Sequence, residues 1–472
     1  MSNSILRSLG PDFIWGAATS AYQIEGAVAE DGRGESIWDR FCRLPGAVAD
    51  GASGEIACDH YHRFLRDIAV MKHLGLDAYR FSISWPRIMP DGTGAVNQKG
   101  LDFYRRLTDA LHEAGIRAFA TLYHWDLPDA LQNRWGGWIG RDTAKAFAEY
   151  ADIVSAALGE GVDSWTTMNE PWVSSWLGYG WGSHPPGYRS LDLGMQAAHH
   201  LLLAHGLSVP ALRANNPRSE IGITLNFSPI VSASDDPMDA EAARAADINV
   251  NASFIGPLFG IGYDDLILQP VSHALLRQAE NDMEIIRAPI DFLGINYYTR
   301  FVLRHNPAGP NPFGEYVDVP GAERTAMGWE VHPDSLYDTL ARVQAQCPEI
   351  KMYITENGAA FPDKVSADGG VHDTRRIAYL EQHLAQVSRA VDDGMQIAGY
   401  FVWSLLDNFE WTEGYRPRFG IVYVDFDTQQ RIVKDSGTWY RSLIAEHRAL
   451  GRPIQTVQPA EMVEAFDNPG SV

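Results

Sequence analysis

The run KMYITENG at residues 351–358 is the stretch around which the rest of the chain is organised. Residues 352–355 are apolar or β-branched, which is typical of a buried strand. The Asn357–Gly358 pair that follows is typical of a turn, so the strand is predicted to end here. Glu356 therefore lies at the carboxyl end of a predicted strand.

A second run, DSWTTMNEPW at residues 163–172, has the same construction. Residues 165–168 form the predicted strand, and residues 169–171 end it. If the fold brings the two strand ends to one mouth, Glu170 and Glu356 form a pair of one carboxylic acid and one carboxylate. Hydrolysis of a glycosidic bond requires such a pair on either side of the bond.

The composition is that of a protein with a large core. Of the 472 residues, 45% are apolar and 21% are charged. The net charge of −22 repels phosphate backbones and anionic membrane surfaces, so neither nucleic acid nor a membrane is an expected partner. The sequence leaves open whether the chain forms a homo-oligomer.

The cysteines and the amino terminus indicate the compartment. Cys42, Cys58 and Cys347 are odd in number and lack C-x-x-C spacing, so we expect buried thiols and no disulfide framework. The first residues have no apolar segment of signal-peptide length, and no run of 18 apolar residues occurs. We therefore expect a cytoplasmic enzyme.

Strand and helix patterns alternate along the chain. Eight apolar or β-branched runs are predicted as strands that begin near Phe13, Ala78, Ile116, Val162, Glu220, Asp291, Lys351 and Ile397. The helical patterns between them have apolar residues spaced three and four apart and a glycine just past the end, as in Phe64, Ile68, Met71, Leu74 and Gly75.

Eight such units most simply close into a (β/α)8 TIM barrel, because crossovers between parallel strands are right-handed. A doubly wound open sheet is the alternative, but no G-x-G-x-x-G follows an early strand. The extra length is assigned to long, ordered βα loops, since these are rich in Gly, Pro and aromatic residues. We therefore predict one catalytic domain over residues 1–472, with its core at about 13–447 and a loosely ordered tail after about residue 451.

The fourth and seventh strands of a closed eight-stranded barrel stand three steps apart, so their carboxyl ends face each other across the mouth. Other strand ends carry polar and aromatic side chains that suit the hydroxyls and the C–H faces of a sugar. These are Gln23, Arg80, His124, Trp125, Asn296, Tyr298, Trp403, Glu410 and Trp411.

Histidine clusters occur at residues 60–62 and 199–205, but neither has a carboxylate or third histidine at a familiar metal-ligand spacing. We expect packing or surface roles for them. No metal and no other cofactor is predicted.

The motifs QIEG, TMNEP, ITENG and NFEW, in this order and spacing, resemble glycoside hydrolase family 1, the bacterial β-glucosidases and their relatives, from about Phe13 to about His447. The resemblance implies a retaining mechanism in which Glu356 is the nucleophile and Glu170 the general acid/base. It also implies that the glycone hydroxyls are held by Gln23, His124, Asn169, Glu410 and Trp411, with Trp403 under the ring. Arg80, Asn296 and Tyr298 would surround the nucleophile, and Trp172, Trp329 and His184 would line the aglycone side.

Physical chemistry agrees with these roles. Arg80 and Tyr298 would favour the charged form of Glu356, whereas burial beside a second carboxylate would raise the pKa of Glu170. When Glu356 becomes a glycosyl ester its charge disappears, so the pKa of Glu170 would fall and Glu170 could then act as a base toward water.

The expected substrates are non-phosphorylated β-D-glucosides, such as cello-oligosaccharides and aryl or alkyl glucosides. Relatives that cleave 6-phosphorylated glycosides have serine at the position of Glu410, and a carboxylate there would repel the phosphate. A transglycosidase with the same site and a non-catalytic sugar-binding protein are the alternatives. The natural aglycone, the preference among glucose, galactose and fucose, and the tolerance to product cannot be predicted from the sequence.

Overall fold

Eight parallel strands close into a barrel, which confirms the predicted (β/α)8 fold. The structure is a computed structural model that describes residues 3–268, 281–309 and 311–450. The strands are β1 (Ile14–Ala18), β2 (Ala78–Ser82), β3 (Arg117–Tyr123), β4 (Ser164–Asn169), β5 (Glu220–Phe227), β6 (Phe292–Tyr297), β7 (Lys351–Asn357) and β8 (Ile397–Trp403). Each pairs with its sequence neighbours, and β8 closes the ring on β1. The tail predicted after about residue 451 lies outside the described residues, and the single-domain organisation stays a prediction.

Helices follow the strands and surround the barrel. The longer ones are His60–Leu74, Gln98–Glu113, Arg141–Leu158, Leu191–Asn215, Pro237–Asp247, Asp334–Gln346, Thr374–Asp392 and Asp435–Leu450. The predicted end of the first of these is confirmed: Gly75 has φ +72° and its N–H donates to the carbonyls of Met71 and Lys72. A left-handed residue at this position favours glycine because a Cβ would be strained there.

Short elements lie in the connections between the strands and the longer helices. The short helices are Asn3–Ser8, Ala21–Ile24, Ile37–Cys42, Trp85–Ile88, Asp129–Trp135, Ser253–Leu258 and Asp265–Leu268. Single 3₁₀ turns occur at Ala49–Gly51, Gly137–Ile139, Gly159–Gly161 and Trp411–Glu413. Two π-helical segments, Val173–Gly180 and Ile248–Ala252, follow β4 and β5.

Two small sheets complete the loops. One contains the strands Ile230–Ser232, Phe301–Arg304 and Glu315–Tyr316, and the other pairs Val422–Val424 with Arg431–Val433. The first lies in the connections after β5 and β6. The predicted long βα loops are therefore ordered parts of the structure.

Aromatic rings fill the barrel interior toward the amino ends of the strands, which is called the lower end below. Phe119 packs against Phe401 with ring centroids 4.9 Å apart, and Phe292 meets Tyr353 edge-on at 5.2 Å. All four side chains are buried. Because this end is filled, the space for a ligand lies at the carboxyl ends of the strands, as is usual for this fold.

The described helices lack the combination of length and apolar character that a bilayer-spanning helix needs. The cysteines Cys42, Cys58 and Cys347 are buried free thiols, as predicted.

Candidate active site

Glu170 directly follows β4 and adopts an unusual backbone conformation. Its φ is +47°, a left-handed value that costs a side chain bearing a Cβ about 1–2 kcal/mol. Its N–H donates to the carbonyl of Thr224 on β5 at 2.9 Å, which fixes the turn. A strained backbone conformation of this kind is retained only where surrounding contacts impose it, and such conformations concentrate at functional sites.

Glu356 is aimed by a change of register in β7. Ile354 pairs with Ile295 of β6, but Glu356 pairs with the next residue of β6, Asn296, so Thr355 is an extra residue. Gly358 follows, and a Cβ there would lie 1.7 Å from the carbonyl oxygen of Trp403. Only glycine allows β7 and β8 to approach so closely, and the predicted turn is thus also a packing contact.

β4 shows the same kind of irregularity just before Glu170. Thr166 pairs with Gly222 of β5, and Asn169, three residues on, pairs with Thr224, only two residues on. An extra residue locally bends a strand and redirects its side chains. Both predicted glutamates therefore follow a register shift at the carboxyl end of their strand.

The carboxylate of Glu356 receives two strong donors. Arg80 Nη1 lies 2.5 Å from Oε1, and the Tyr298 hydroxyl donates to Oε2 at 2.6 Å. Arg80 and Glu356 are 1% and 3% exposed, so this is a buried, charge-assisted pair. Both carboxylate oxygens are therefore held by donors from outside β7.

Glu170 has the opposite environment. It is 6% exposed, and its hydrogen-bond partner is the neutral Asn296 amide, whose Nδ2 donates to Oε1 at 2.7 Å. Burial raises the pKa of Glu170 to about 8, and the charge of Glu356 adds to this. The predicted rise is thus present, and it favours the protonated form of Glu170.

A buried network joins the two glutamates to His124. Asn169 Oδ1 accepts from Arg80 Nη2 at 2.6 Å and from Asn296 Nδ2 at 3.2 Å, and Asn169 Nδ2 lies 3.1 Å from His124 Nε2. Burial and the charge of Arg80 hold the pKa of His124 well below its usual range. The neutral ring accepts through Nε2, so its proton lies on Nδ1. That atom has no partner among the described residues.

A cavity of about 370 Å³ opens above these residues. Most predicted site residues line it: His124, Trp125, Glu170, Trp172, His184, Tyr298, Trp329, Glu356, Trp403, Glu410 and Trp411. The remaining four lie behind the wall and contact the residues that line it: Gln23, Arg80, Asn169 and Asn296. Sequence positions hundreds of residues apart therefore form one site, and the roles of its members stay predictions.

One wall of the cavity comes from the segment after β8. The carboxyl group of Glu410 lies 3.4 Å from Gln23 Nε2, whose main contacts are the Phe409 carbonyl at 2.8 Å and Asn408. Desolvation raises the pKa of Glu410 to about 8, with the charge of Glu356 contributing. Trp411 packs on Trp125 with ring centroids 4.6 Å apart.

Three cavity-lining residues that bear a Cβ have positive φ: Trp125 (+75°), Glu170 (+47°) and Trp411 (+51°). They follow β3, β4 and β8. His184 packs on Trp125, and burial lowers its pKa to about 4, so both histidines of the cavity are neutral at neutral pH. The site thus combines two neutral imidazoles with indole faces and carboxyl groups.

Other lining residues were not predicted from the sequence. They include Asn226 and Ser228 at the end of β5, and Val173, Leu177, Trp181, Val250, Thr299, Phe301, Tyr316, Met327, Thr412, Glu413 and Phe419 in the loops. Asn226 is a polar residue near the carboxyl end of β5 and could have been found by the rule that found Asn296. The loop residues carry no periodic signal that places them.

Within the ranges that the structure describes, no group of three or more His, Cys, Asp or Glu side chains could hold a metal ion. His199 and His200 are instead buried and bonded, His199 to Asp282 at 3.0 Å and His200 to the Trp138 carbonyl at 2.9 Å. The arrangement at the mouth can supply one nucleophilic carboxylate and one carboxylic acid to a polar ligand.

Comparison with known proteins gives a consistent result. The model of glycosyl hydrolase family 1 matches residues 6–449. The chain is 47% identical to beta-glucosidase A of Acetivibrio thermocellus over 436 residues, which are 92% of this chain and 97% of that protein. It is 48% identical to a 1,4-beta-D-glucan glucohydrolase of Thermotoga neapolitana over 433 residues, 92% and 97% of the two chains. The solved structure of a family 1 β-glucosidase from Thermotoga maritima in complex with isofagomine lactam has a TM-score of 0.88 at 46% identity, covering 92% of this chain and 98% of that one.

Proposed function

The chain belongs to glycosyl hydrolase family 1, and on that premise we propose that it is an exo-acting β-glucosidase that cleaves β-D-glucosides with retention of configuration. One observation carries the proposal: two glutamates at the ends of β4 and β7 have opposite electrostatic environments. Glu356 is paired with Arg80, whereas burial and the charge of Glu356 favour the protonated form of Glu170. Such a pair can attack from one side of a bond and donate a proton from the other.

In the first step the Glu356 carboxylate attacks the anomeric carbon. The bond from this carbon to the glycosidic oxygen breaks as the new ester bond forms, and Glu170 transfers its proton to the departing oxygen. The aglycone leaves as an alcohol, and the sugar remains on Glu356 as an ester. Arg80 and Tyr298 hold both carboxylate oxygens, so the nucleophile is oriented before the substrate arrives.

In the second step water releases the sugar. The charge of Glu356 contributes to the raised pKa of Glu170, and this charge is absent in the ester. The pKa of Glu170 therefore falls, and its carboxylate takes a proton from water, whose oxygen attacks the anomeric carbon and restores free Glu356. Two inversions at one carbon give net retention.

The lack of a cation among the described lining residues of the cavity supports neutral substrates. Its described lining residues include Glu170, Glu356, Glu410 and Glu413 but no Lys or Arg. A phosphate on the sugar would find no cation on the wall, so we propose non-phosphorylated glucosides, including cello-oligosaccharides and aryl or alkyl glucosides. His124, Glu410 and Gln23 are the proposed partners of the sugar hydroxyls, Trp403 packs under the ring, and Trp172 faces the aglycone.

The direct test follows cleavage of p-nitrophenyl β-D-glucoside by proton NMR. The wild type should release β-glucose first, which then mutarotates. The E356A variant should lose activity almost completely, and added azide should enter the vacated space and give α-glucosyl azide. The control E330A removes another buried carboxylate bonded to an arginine, Arg300, outside the cavity wall, and it should keep wild-type products.

Full activity of E356A, or α-glucose as the first product, would contradict this mechanism. No turnover by a folded wild type would contradict the proposed substrate and favour another glycone or a non-catalytic sugar-binding protein. Added alcohols would reveal a transglycosidase, because glucosides of the alcohol would then exceed free glucose. The cytoplasmic location stays a prediction that cell fractionation tests, and light scattering would measure the oligomeric state, which the sequence left open.

A further inference from the structure

The π-helical turn Ile248–Ala252 touches two walls of the cavity that come from different βα loops. Its central residue, Val250, lines the cavity itself. The residues on either side, Asn249 and Asn251, are buried, at 0% and 3% exposure. π-helical turns are rare and often mark functional sites, and this one presents two buried amides next to a ligand cavity.

Asn249 holds the side chain of Trp172. The indole Nε1–H of Trp172 donates to Asn249 Oδ1 at 3.1 Å. On another side the Trp172 ring meets Trp181 edge-on, with ring centroids 5.2 Å apart. Both tryptophans line the cavity. The hydrogen bond therefore sets the rotation of an indole whose face is available to a ligand.

Asn249 also has an unsatisfied group. Its Nδ2 atom is buried and has no hydrogen-bond partner among the described residues. A buried donor without a partner is costly, and an apolar residue would fill a fully buried position more favourably. Stability alone therefore does not explain an asparagine at this position. The need for a hydrogen-bond acceptor for the Trp172 indole N–H does explain it.

Asn251 fixes the neighbouring wall. Its Nδ2 donates to the Ser228 carbonyl at 3.0 Å, and its Oδ1 accepts from the Ser228 N–H at 3.2 Å. The same amide donates to Asp247 Oδ1 at 2.7 Å, and Asp247 forms a bidentate ion pair with Arg342 of the Asp334–Gln346 helix. Ser228 lines the cavity, so its main chain is held to a rigid outer element.

We propose that Asn249 and Asn251 are positioning residues for the aglycone side of the site, and that Asn249 determines the preference for aromatic aglycones by fixing the Trp172 indole. This inference rests on the proposed function, in which Trp172 faces the aglycone. Asn249 does not line the cavity and acts through Trp172. Its loss lets the indole rotate, so stacking on an aryl group weakens, while contacts with the sugar are unchanged.

The test compares two glucosides that share the sugar, p-nitrophenyl β-D-glucoside and methyl β-D-glucoside. N249A should lower kcat/KM for the aryl glucoside about tenfold, mainly through KM, and change the value for methyl glucoside by less than about twofold. W172F keeps a ring but removes the indole N–H, and it should lower the same ratio. In the W172F background, N249A should have no further effect, because the contact is already absent.

The matched control is N216A. Asn216 is also buried with one unpartnered side-chain atom, but it bonds Ser155 away from the cavity. N216A should lower the melting temperature and leave the ratio of the two glucosides unchanged. The inference would be overturned if N249A lowered kcat/KM equally for both glucosides. It would also be overturned if the double variant lost kcat/KM by the product of the two single effects. If N249A does not fold, an unchanged ratio of kcat/KM for the two glucosides in W172F would also overturn the inference. A wild type inactive on both glucosides would refute the proposed function instead.

Discussion

The two ends of the barrel interior are built from the same eight strands and follow opposite rules. At the lower end Phe119, Phe292 and Phe401 are buried in dense ring contacts. At the carboxyl end β4 and β7 each carry an extra residue, and three lining residues have positive φ.

This difference shows that features which lower the stability of the fold occur at the end that holds the candidate active site. Glu170 combines backbone strain with a buried carboxyl group, both of which oppose folding. At the lower end the Phe119, Phe292 and Phe401 side chains are apolar and buried, so they can serve the stability of the fold alone. Substitutions at the two ends should therefore separate activity from stability.

The largest expected effect is on catalysis at the carboxyl end. Replacing Glu170 by alanine removes the proposed acid, and we expect a loss of about 10²–10⁴-fold in kcat/KM for methyl β-D-glucoside, whose leaving group needs a proton. A dinitrophenyl glucoside needs no proton to leave, so its first step should change little. Steady-state and burst kinetics on both substrates provide the measurement, and equal losses in the first step would contradict the acid role.

A substitution at the lower end should reduce stability and leave catalysis nearly unchanged. Phe292 is fully buried in contact with Tyr353, and F292A should reduce the free energy of unfolding by about 3–5 kcal/mol because it leaves a cavity. At a temperature well below the melting transition, kcat/KM should stay within about twofold of the wild type. Denaturant unfolding with parallel kinetics checks this, with F292L as the milder control. A large loss of kcat/KM in a folded F292A protein would show that the two ends are coupled.

A smaller effect separates the two causes of the raised pKa of Glu170. In E356Q the neighbouring charge is absent and burial remains, so the pKa should fall from about 8 by roughly one unit or more. NMR titration of carbon-13-labelled glutamate side chains measures this, with the E170Q/E356Q double variant to assign the signal. A pKa that stays at about 8 would mean that burial alone sets it, and the change of role between the two steps would lose its basis.

The smallest expected effect is on the pH dependence of stability. The pKa of Glu170 is raised from 4.5 to about 8 on folding, so the folded state binds more protons between these values and stability falls as the pH rises through this window. E170Q cannot ionise, so its stability relative to the wild type should grow from pH 5 to pH 8 by about 1 kcal/mol or more. Thermal unfolding of both proteins across this range is the check, and a constant difference would contradict the raised pKa.

The fold could be predicted because its signals are local. Each of the eight strand starts came from an apolar or β-branched run, and Gly75 marked the end of a helix where the structure has a left-handed cap. Glu170 and Glu356 could be placed at strand ends by the same local rule. The loops followed no such rule: Val250 and Tyr316 lie in segments whose course depends on long-range contacts, so their places in the cavity wall could not be predicted.

The sequence by itself determined which residues stand at the carboxyl ends of the strands, since strand length and turn position depend on near neighbours along the chain. Only the tertiary structure decided what those residues can do. Glu170 and Glu356 are chemically identical and both are buried. They become different because Arg80 and Tyr298 donate to Glu356, whereas Glu170 accepts from the neutral Asn296 amide and lies near the charge of Glu356. A pKa depends on desolvation and on charges a few ångströms away, and the fold brought these together from strands far apart in sequence.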